Sequence, residues 1–179
     1  MKVLKRRRQE NKTDYGKRLL LLRGSMPRLV FRKTNKYVIA EYVTSQNAQD
    51  KIDLGTTSKS LIEYGWPKEN SGSLKSTPAT YLTGFLFGKE IMEKKLQTPI
   101  LDIGMTRNIH KSKVFAFLKG LKDSGLNVKG EEEYYPDENR IKGKHLKEDF
   151  SKKFEEIKQK IQKVKSKWQK VKRNKHLRT

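Results

Sequence analysis

Apolar positions along this chain follow two periods. Between residues 28 and 44 they alternate or double up in runs rich in β-branched and aromatic side chains. This predicts an antiparallel hairpin of two strands, 28–34 and 36–44, turning near Asn35. In the first strand Leu29, Phe31 and Lys33 share one face, and Val30 and Arg32 the other. The second strand is apolar on both faces, with Tyr37, Ile39 and Val43 on one and Val38, Ala40 and Tyr42 on the other. That predicts an interior strand. A polar turn at 46–50 leads to a weaker third strand, 51–58, expected at an edge.

Helical spacing appears elsewhere. Asp14 is a candidate cap for a helix through Arg23 that carries Leu19, Leu20 and Leu22 and stops at Gly24; Asn11 and Thr13 are alternative caps. Residues 63–76, rich in Gly, Ser, Asn and Pro, read as a loop. Thr77-Pro78 then starts a helix to about Lys95, with Leu82, Phe85, Leu86 and Met92 as its apolar side. Gly84 and Gly88 lie one turn apart on it, so a neighbour can approach its backbone. A short buried strand is expected at 99–104, a loop at 105–111, and a helix at 112–124 with Val114, Phe117, Leu118 and Leu121 inward and Gly125 closing it. A last strand is expected at 126–128. Alternating strands and helices imply a right-handed parallel crossover beside the hairpin. The fold class is therefore α/β, a mixed sheet with packed helices.

Beyond an acidic, Pro-containing linker, the chain has no Gly or Pro from about Leu146 onward. Phe150, Phe154, Ile157, Ile161, Val164, Trp168 and Val171 recur at alternating intervals of four and three, a heptad seam. The other faces are nearly all Lys, and so narrow a stripe makes a lone helix marginal in water. Like charges oppose self-pairing. Residues 146–175 are thus expected to be partly disordered in the free protein and to become a helix on an RNA or protein surface. The organisation read from the sequence is a basic N-terminal arm and helix (1–25), a core (26–130), a linker (131–145) and a long basic C-terminal helix (146–179).

Charge sharpens this picture. The 179 residues carry a net charge of +22 with a pI near 10.1. Residues 1–36 hold a net +11 and residues 139–179 a net +12, whereas residues 37–138 hold −1. A uniform compositional bias would have raised Lys in the middle as well, so the segregation points to arms that bind polyanions. There is no Cys, which excludes disulfides and thiolate chemistry. No apolar run is long enough for a membrane span, and no signal peptide is evident. A cytoplasmic protein is expected.

Catalytic signatures are lacking: no phosphate-binding glycine loop, metalloprotease helix or nucleophile elbow occurs. His110, His145 and His176 are far apart in sequence. Asp102, on the predicted buried strand, is the one notable acid; with Asp53 and Asp123 it would give a Mg²⁺-dependent nuclease. The simpler reading is that it caps the next loop or pairs with a basic neighbour. Cations interleave with an aromatic residue in Arg6, Arg7, Arg8, Lys12, Tyr15 and Arg18, and again in Arg28, Arg32, Lys33, Asn35, Lys36 and Tyr37. Such sets meet phosphates and stack on unpaired bases. Arg107, Lys111 and Lys113 join the candidates. A basic amphipathic helix on an anionic membrane fits the C-terminal segment alone, and no DNA-reading motif is present.

Several of these segments, in order, resemble a known family. They are Arg6-Arg7-Arg8 with Lys12-Thr13-Asp14-Tyr15 and Arg18-Leu19, Pro27-Arg28-Leu29-Val30 with Arg32 through Lys36, and Glu63-Tyr64-Gly65-Trp66. They continue with Ala79 and Tyr81-Leu82-Thr83-Gly84, Leu101-Asp102-Ile103-Gly104, Ser112 through Ala116, Lys119-Gly120, and Arg140-Ile141 with Gly143 and His145. Over about residues 5–148 the chain is similar to the archaeal family of large-subunit ribosomal protein eighteen. The resemblance implies an RNase-H-like sheet without nuclease activity, and no metal or cofactor. It implies binding of 5S ribosomal RNA and its attachment to large-subunit RNA in the central protuberance, beside neighbouring ribosomal proteins, with no membrane and no DNA. It carries RNA contact onto Arg6, Arg7, Arg8, Lys12, Tyr15 and Arg18 and onto Arg28, Arg32, Lys33, Asn35 and Lys36. Because Lys33 shares the apolar face of its strand, Arg32 is expected to be the RNA-facing member of that pair. The chain departs from the family at Thr106 through His110, at Lys129-Gly130-Glu131 and from about Phe150 onward.

Overall fold

Strands form where the alternation predicts them. In the computed structural model, which describes residues 3–47, 49–146 and 150–163, β1 (Arg28–Lys33) pairs antiparallel with β2 (Val38–Gln46), Lys33 facing Val38. The turn between them is closed by Thr34, whose hydroxyl donates to the Tyr37 carbonyl at 2.6 Å. β3 (Gln49–Thr57) pairs with β2, and β4 (Ile100–Asp102) runs parallel to β1. The order β3-β2-β1-β4 makes β2 interior and β3 an edge, as its polar composition implies.

Two strand expectations change. β4 is the other edge and is half-exposed rather than buried, Ile100 being 37% accessible, because no strand among the described residues lies beyond it. Residues 126–128 form no strand. The Leu126 N–H turns back to the Leu121 carbonyl and the Val128 N–H to that of Leu126, while the Leu126 side chain is buried in the core. So short an apolar run fills space beside the sheet without pairing its backbone.

The N-terminal segment carries α1 (Arg6–Gln9) and α2 (Tyr15–Arg23). Asp14 is the cap of α2, accepting from the Gly16 and Lys17 N–H groups at 3.1 and 3.3 Å. α3 (Thr77–Glu93) is capped by Ser76, one residue before the expected Thr77, and is buried on every side from Thr77 to Gly88. Met92 is exposed instead, because the end of the helix runs past its cover. α4 (Lys113–Asp123) crosses α3 so closely that a methyl group at Gly84 would strike the Phe117 carbonyl, and one at Gly120 the Tyr81 carbonyl. The neighbour that the glycine spacing anticipated is therefore α4.

α3 divides two cores. One lies between the helices and the sheet and holds Leu29, Phe31, Val38, Phe87, Phe117 and Leu121. The other holds Leu61, Trp66, Tyr81, Phe85, Ile141 and Phe150. The loop after β3 contains two 3₁₀ turns, Ser58–Ile62 and Lys68–Ser73, and Trp66 between them is buried. The acidic segment after α4 is also packed down: α5 (Glu138–Lys142) buries Ile141, and Tyr135 is covered.

The C-terminal seam calls for a correction. α6 (Ser151–Lys163) buries Phe154, Ile157 and Ile161 in the second core, with Phe150 just before it 4.7 Å from the Trp66 ring. Lys158 Nζ donates to the Tyr81 hydroxyl at 2.9 Å, and that hydroxyl donates to Asp123. The described part of the stripe thus finds its surface within the chain and needs no RNA, partner protein or membrane to cover it. Val164, Trp168 and Val171 lie outside the described residues. No described helix is long and apolar enough to cross a membrane.

Candidate nucleic-acid interface

The face of the sheet turned away from α3 and α4 is polar along β1. Arg28, Val30 and Arg32 project from it, and the arm and α2 lie over it, leaving a cleft of about 270 Å³ lined by Arg7, Lys12, Lys17, Arg18, Arg28 and Arg32. Two acids organise these cations. Asp50 holds Arg28 at 2.6 Å and Arg18 at 2.8 Å, and accepts from the Ser45 hydroxyl. Asp102 holds Arg28 at 3.2 Å and Arg32 at 3.5 Å. Burial alone would raise the Asp50 carboxyl. The hydrogen bonds from Arg18, Ser45 and Arg28 outweigh it and hold the group at about 2.

Candidates on this side differ in availability. Arg28 is 3% exposed, its guanidinium committed to internal acids. Arg32 is half-exposed, but it donates to the carbonyls of Phe31 and Asp102, both at 2.9 Å. Arg18 anchors α2 to the sheet through Asp50. In the arm, Arg6 and Lys12 share Glu10, Arg7 donates to Thr13, and Arg8 lies 3.5 Å from Asp14; all four leave much of their charge toward solvent. Tyr15 is exposed on one side, with Lys5 Nζ 4.6 Å from its ring.

At the other end of the hairpin, Asn35 and Lys36 are exposed in the turn. Lys33 is exposed as well, which corrects the premise that its apolar face would bury it. The strand's last residue runs beyond the covering helices, and Lys33 borders a second cleft of about 390 Å³ with Arg107, Lys111, Lys113 and Arg140. Burial, then Lys33, Lys75 and Arg140, depress the Lys113 ammonium below the ordinary lysine range. Lys17, Lys75 and Arg140 were missed from sequence. Arg140 stood in a recognised segment, but nothing local marked it as facing Lys113. Asp50 was read merely as part of a turn.

The acids proposed for a nuclease do not converge. Asp53 accepts from Thr44, Asp123 from Tyr81, and Asp102 from the Gly104 N–H at 2.8 Å while pairing with Arg28 and Arg32. Asp102 thus both caps its loop and pairs with basic neighbours, as the simpler reading held. No group of three His, Asp or Glu suited to a metal ion occurs among the described residues. His110 instead packs against the Tyr134 ring in a tilted arrangement, ring centres 4.0 Å apart.

Comparison with known proteins bears on the same elements. Residues 1–99 match the family model described as ribosomal large subunit proteins 60S L5 and 50S L18. The chain is 41% identical to large ribosomal subunit protein uL18 of Korarchaeum cryptofilum over 87% of its own length and 77% of that protein's. It is 44% identical to the uL18 protein of Methanoculleus marisnigri, covering 80% of this chain and 79% of that one. With uL18 of Methanothermobacter thermautotrophicus the identity is 42% over 82% and 74% of the two chains.

Proposed function

Because the chain belongs to the family of ribosomal large-subunit proteins 60S L5 and 50S L18, we propose that it binds 5S ribosomal RNA and attaches it to large-subunit RNA in the central protuberance. Membership makes it a structural constituent of the large subunit and not an enzyme. The observation that carries the RNA reading is the pair of basic clefts at the end of β1: Arg32 borders one and its neighbour Lys33 the other. One strand end thus presents cations on two sides, and an RNA fold can be gripped from both.

Within this reading the arm cations Arg6, Arg7, Arg8 and Lys12 meet phosphates, and Tyr15 is placed to stack on a base. Arg18 and Arg32 make RNA contacts while holding the arm and the β4 loop in position. Lys33, Asn35, Lys36, Arg107, Lys111 and Lys113 form the second contact. Arg28 acts from beneath, fixing the acids that orient Arg18 and Arg32. The fold reading is RNase-H-like, supported by an antiparallel three-stranded unit with a parallel edge strand. The arm of residues 1–25 and the core of residues 26–130 act as one RNA-binding unit, and the protein is ribosome-bound in the cytoplasm beside other ribosomal proteins.

Filter binding of 5S RNA against a scrambled RNA of equal length tests this. Preference for 5S RNA of at least a hundredfold at physiological salt is expected. Equal retention of both RNAs would overturn the assignment.

A further inference from the structure

The cleft beside Lys33 is built in more detail than a generally basic surface needs. Lys33, Arg107, Lys111, Lys113 and Arg140 line it with the start of α4, and no carboxylate of the described residues does. Of these five, only Lys111 has an acidic partner among the described residues, Asp137 at 3.2 Å on the exposed rim. Lys113 is half-buried with Lys33, Lys75 and Arg140 around it, and its ammonium is depressed accordingly. Cations gathered without counter-charge repel one another, and a bound anion relieves that cost.

Ser112 points the same way. It is the N-cap of the eleven-residue α4, yet its hydroxyl makes no capping bond. Ser112 also lines the cleft, and its Oγ is buried with no hydrogen-bond partner among the described residues. At this position a serine ordinarily accepts from a first-turn N–H. The first backbone bond of the helix runs from the Ala116 N–H to the Ser112 carbonyl at 3.0 Å. The N–H groups of Lys113, Val114 and Phe115 therefore have no helical acceptor, and they open toward the positive end of the helix dipole. An uncommitted hydroxyl, first-turn N–H donors and convergent cations together match the oxygens of a phosphate group.

We propose that this cleft is a socket for one phosphate group, held by the α4 N-terminus, the Ser112 hydroxyl, Lys113, Lys33 and Arg140. The identity of the ligand rests on the RNA reading above, in which the group is a backbone phosphodiester; the chemistry of the socket does not depend on it.

The test uses the full-length protein and inorganic phosphate, with chloride adjusted to constant ionic strength. In amide-resolved NMR, the Lys113, Val114 and Phe115 signals are expected to shift along a saturating curve. Lys113→Met should weaken that binding at least tenfold, and Ser112→Ala and Arg140→Met each at least threefold, with the remaining spectrum unchanged. Shifts that never saturate, or that spread equally over exposed Lys and Arg, would overturn the socket. In filter binding, exchanging chloride for phosphate should weaken 5S RNA binding at least threefold in the wild type and not in Lys113→Met. An equal response of the two proteins would overturn the RNA phosphate as occupant. Saturable phosphate binding in a protein that binds neither 5S nor large-subunit RNA would uphold the socket and sink the RNA reading.

Discussion

The Arg28 guanidinium lies 3.2 Å from the Asp102 carboxylate, across the parallel pair of β1 and β4, and Arg28 is 3% exposed. The same guanidinium reaches Asp50 at 2.6 Å, so one buried cation ties the edge strand to the β2–β3 turn. Removing it leaves Asp50 to Arg18 and Ser45 and Asp102 to Arg32, without the buried cation that joins the two acids. Arg28→Ala is expected to cost about 3 kcal/mol, by analogy with other buried pairs broken on one side. Urea denaturation measures this, and a loss below about 1 kcal/mol would show that the network adds little.

Acid should expose the second acid of that network. The folded-state value of Asp50, about 2, lies below its ordinary 3.8. A depressed carboxylate stabilises the fold fully above its unfolded-state value and loses that contribution as the pH falls through the folded-state value. Stability is therefore expected to fall between about pH 4 and pH 2, and Asp50→Asn should flatten that part of the curve. Thermal melts across this range decide the matter; identical slopes would contradict the assignment.

The α3–α4 contact leaves no room for a side chain at Gly84. Gly84→Ala must push the Phe117 carbonyl, a backbone atom that cannot rotate away. Overpacking of this kind costs about 2–3 kcal/mol. Gly125→Ala is a useful contrast: nothing among the described residues lies within 4 Å, but its φ of +104° is strained for any L side chain. It should cost about 1 kcal/mol. Chemical denaturation of the two variants would reverse our account if Gly125→Ala proved the more damaging.

Phe154 is 2% exposed and packs on the Tyr81 ring at 5.5 Å. Phe154→Ala should cost about 3–5 kcal/mol, whereas Lys153→Ala, on the exposed side, should change stability by less than about 0.5 kcal/mol. Equal, small effects would indicate that α6 is not held by its apolar seam.

Deleting residues 1–12 removes Lys2, Lys5, Arg6, Arg7, Arg8 and Lys12. If these cations meet RNA phosphates, the slope of log K against log[salt] should shrink by roughly 0.7–0.9 for each phosphate no longer neutralised. An unchanged slope would remove the arm from the interface.

Where local pattern and tertiary environment agree, the fold was legible. The hairpin, the interior position of β2, the Asp14 cap and the α3–α4 glycine contact all follow from alternation, capping chemistry and spacing. What escaped depends on contacts between distant segments. Residues 126–128 carry strand-like side chains, but α4 hands them directly to the core. The heptad seam announced a buried stripe without saying what would cover it, because Trp66 and Leu61 sit in a segment with no periodicity. Cation composition named the arm and the hairpin. It did not foresee that Arg28 would be internal, since a buried arginine looks like any other until Asp50 and Asp102 are brought beside it.

The docking of α6 bears on how this protein is made. Phe150, Phe154, Ile157 and Ile161 close a core whose other wall, Leu61, Trp66 and Tyr81, comes from the first half of the chain. During synthesis that wall emerges early and stays uncovered until nearly the last described residue appears. For that interval a highly cationic arm and an open apolar groove coexist in one nascent chain, and uncovered apolar surface favours unwanted association. The apolar wall can close only once translation has reached Ile161.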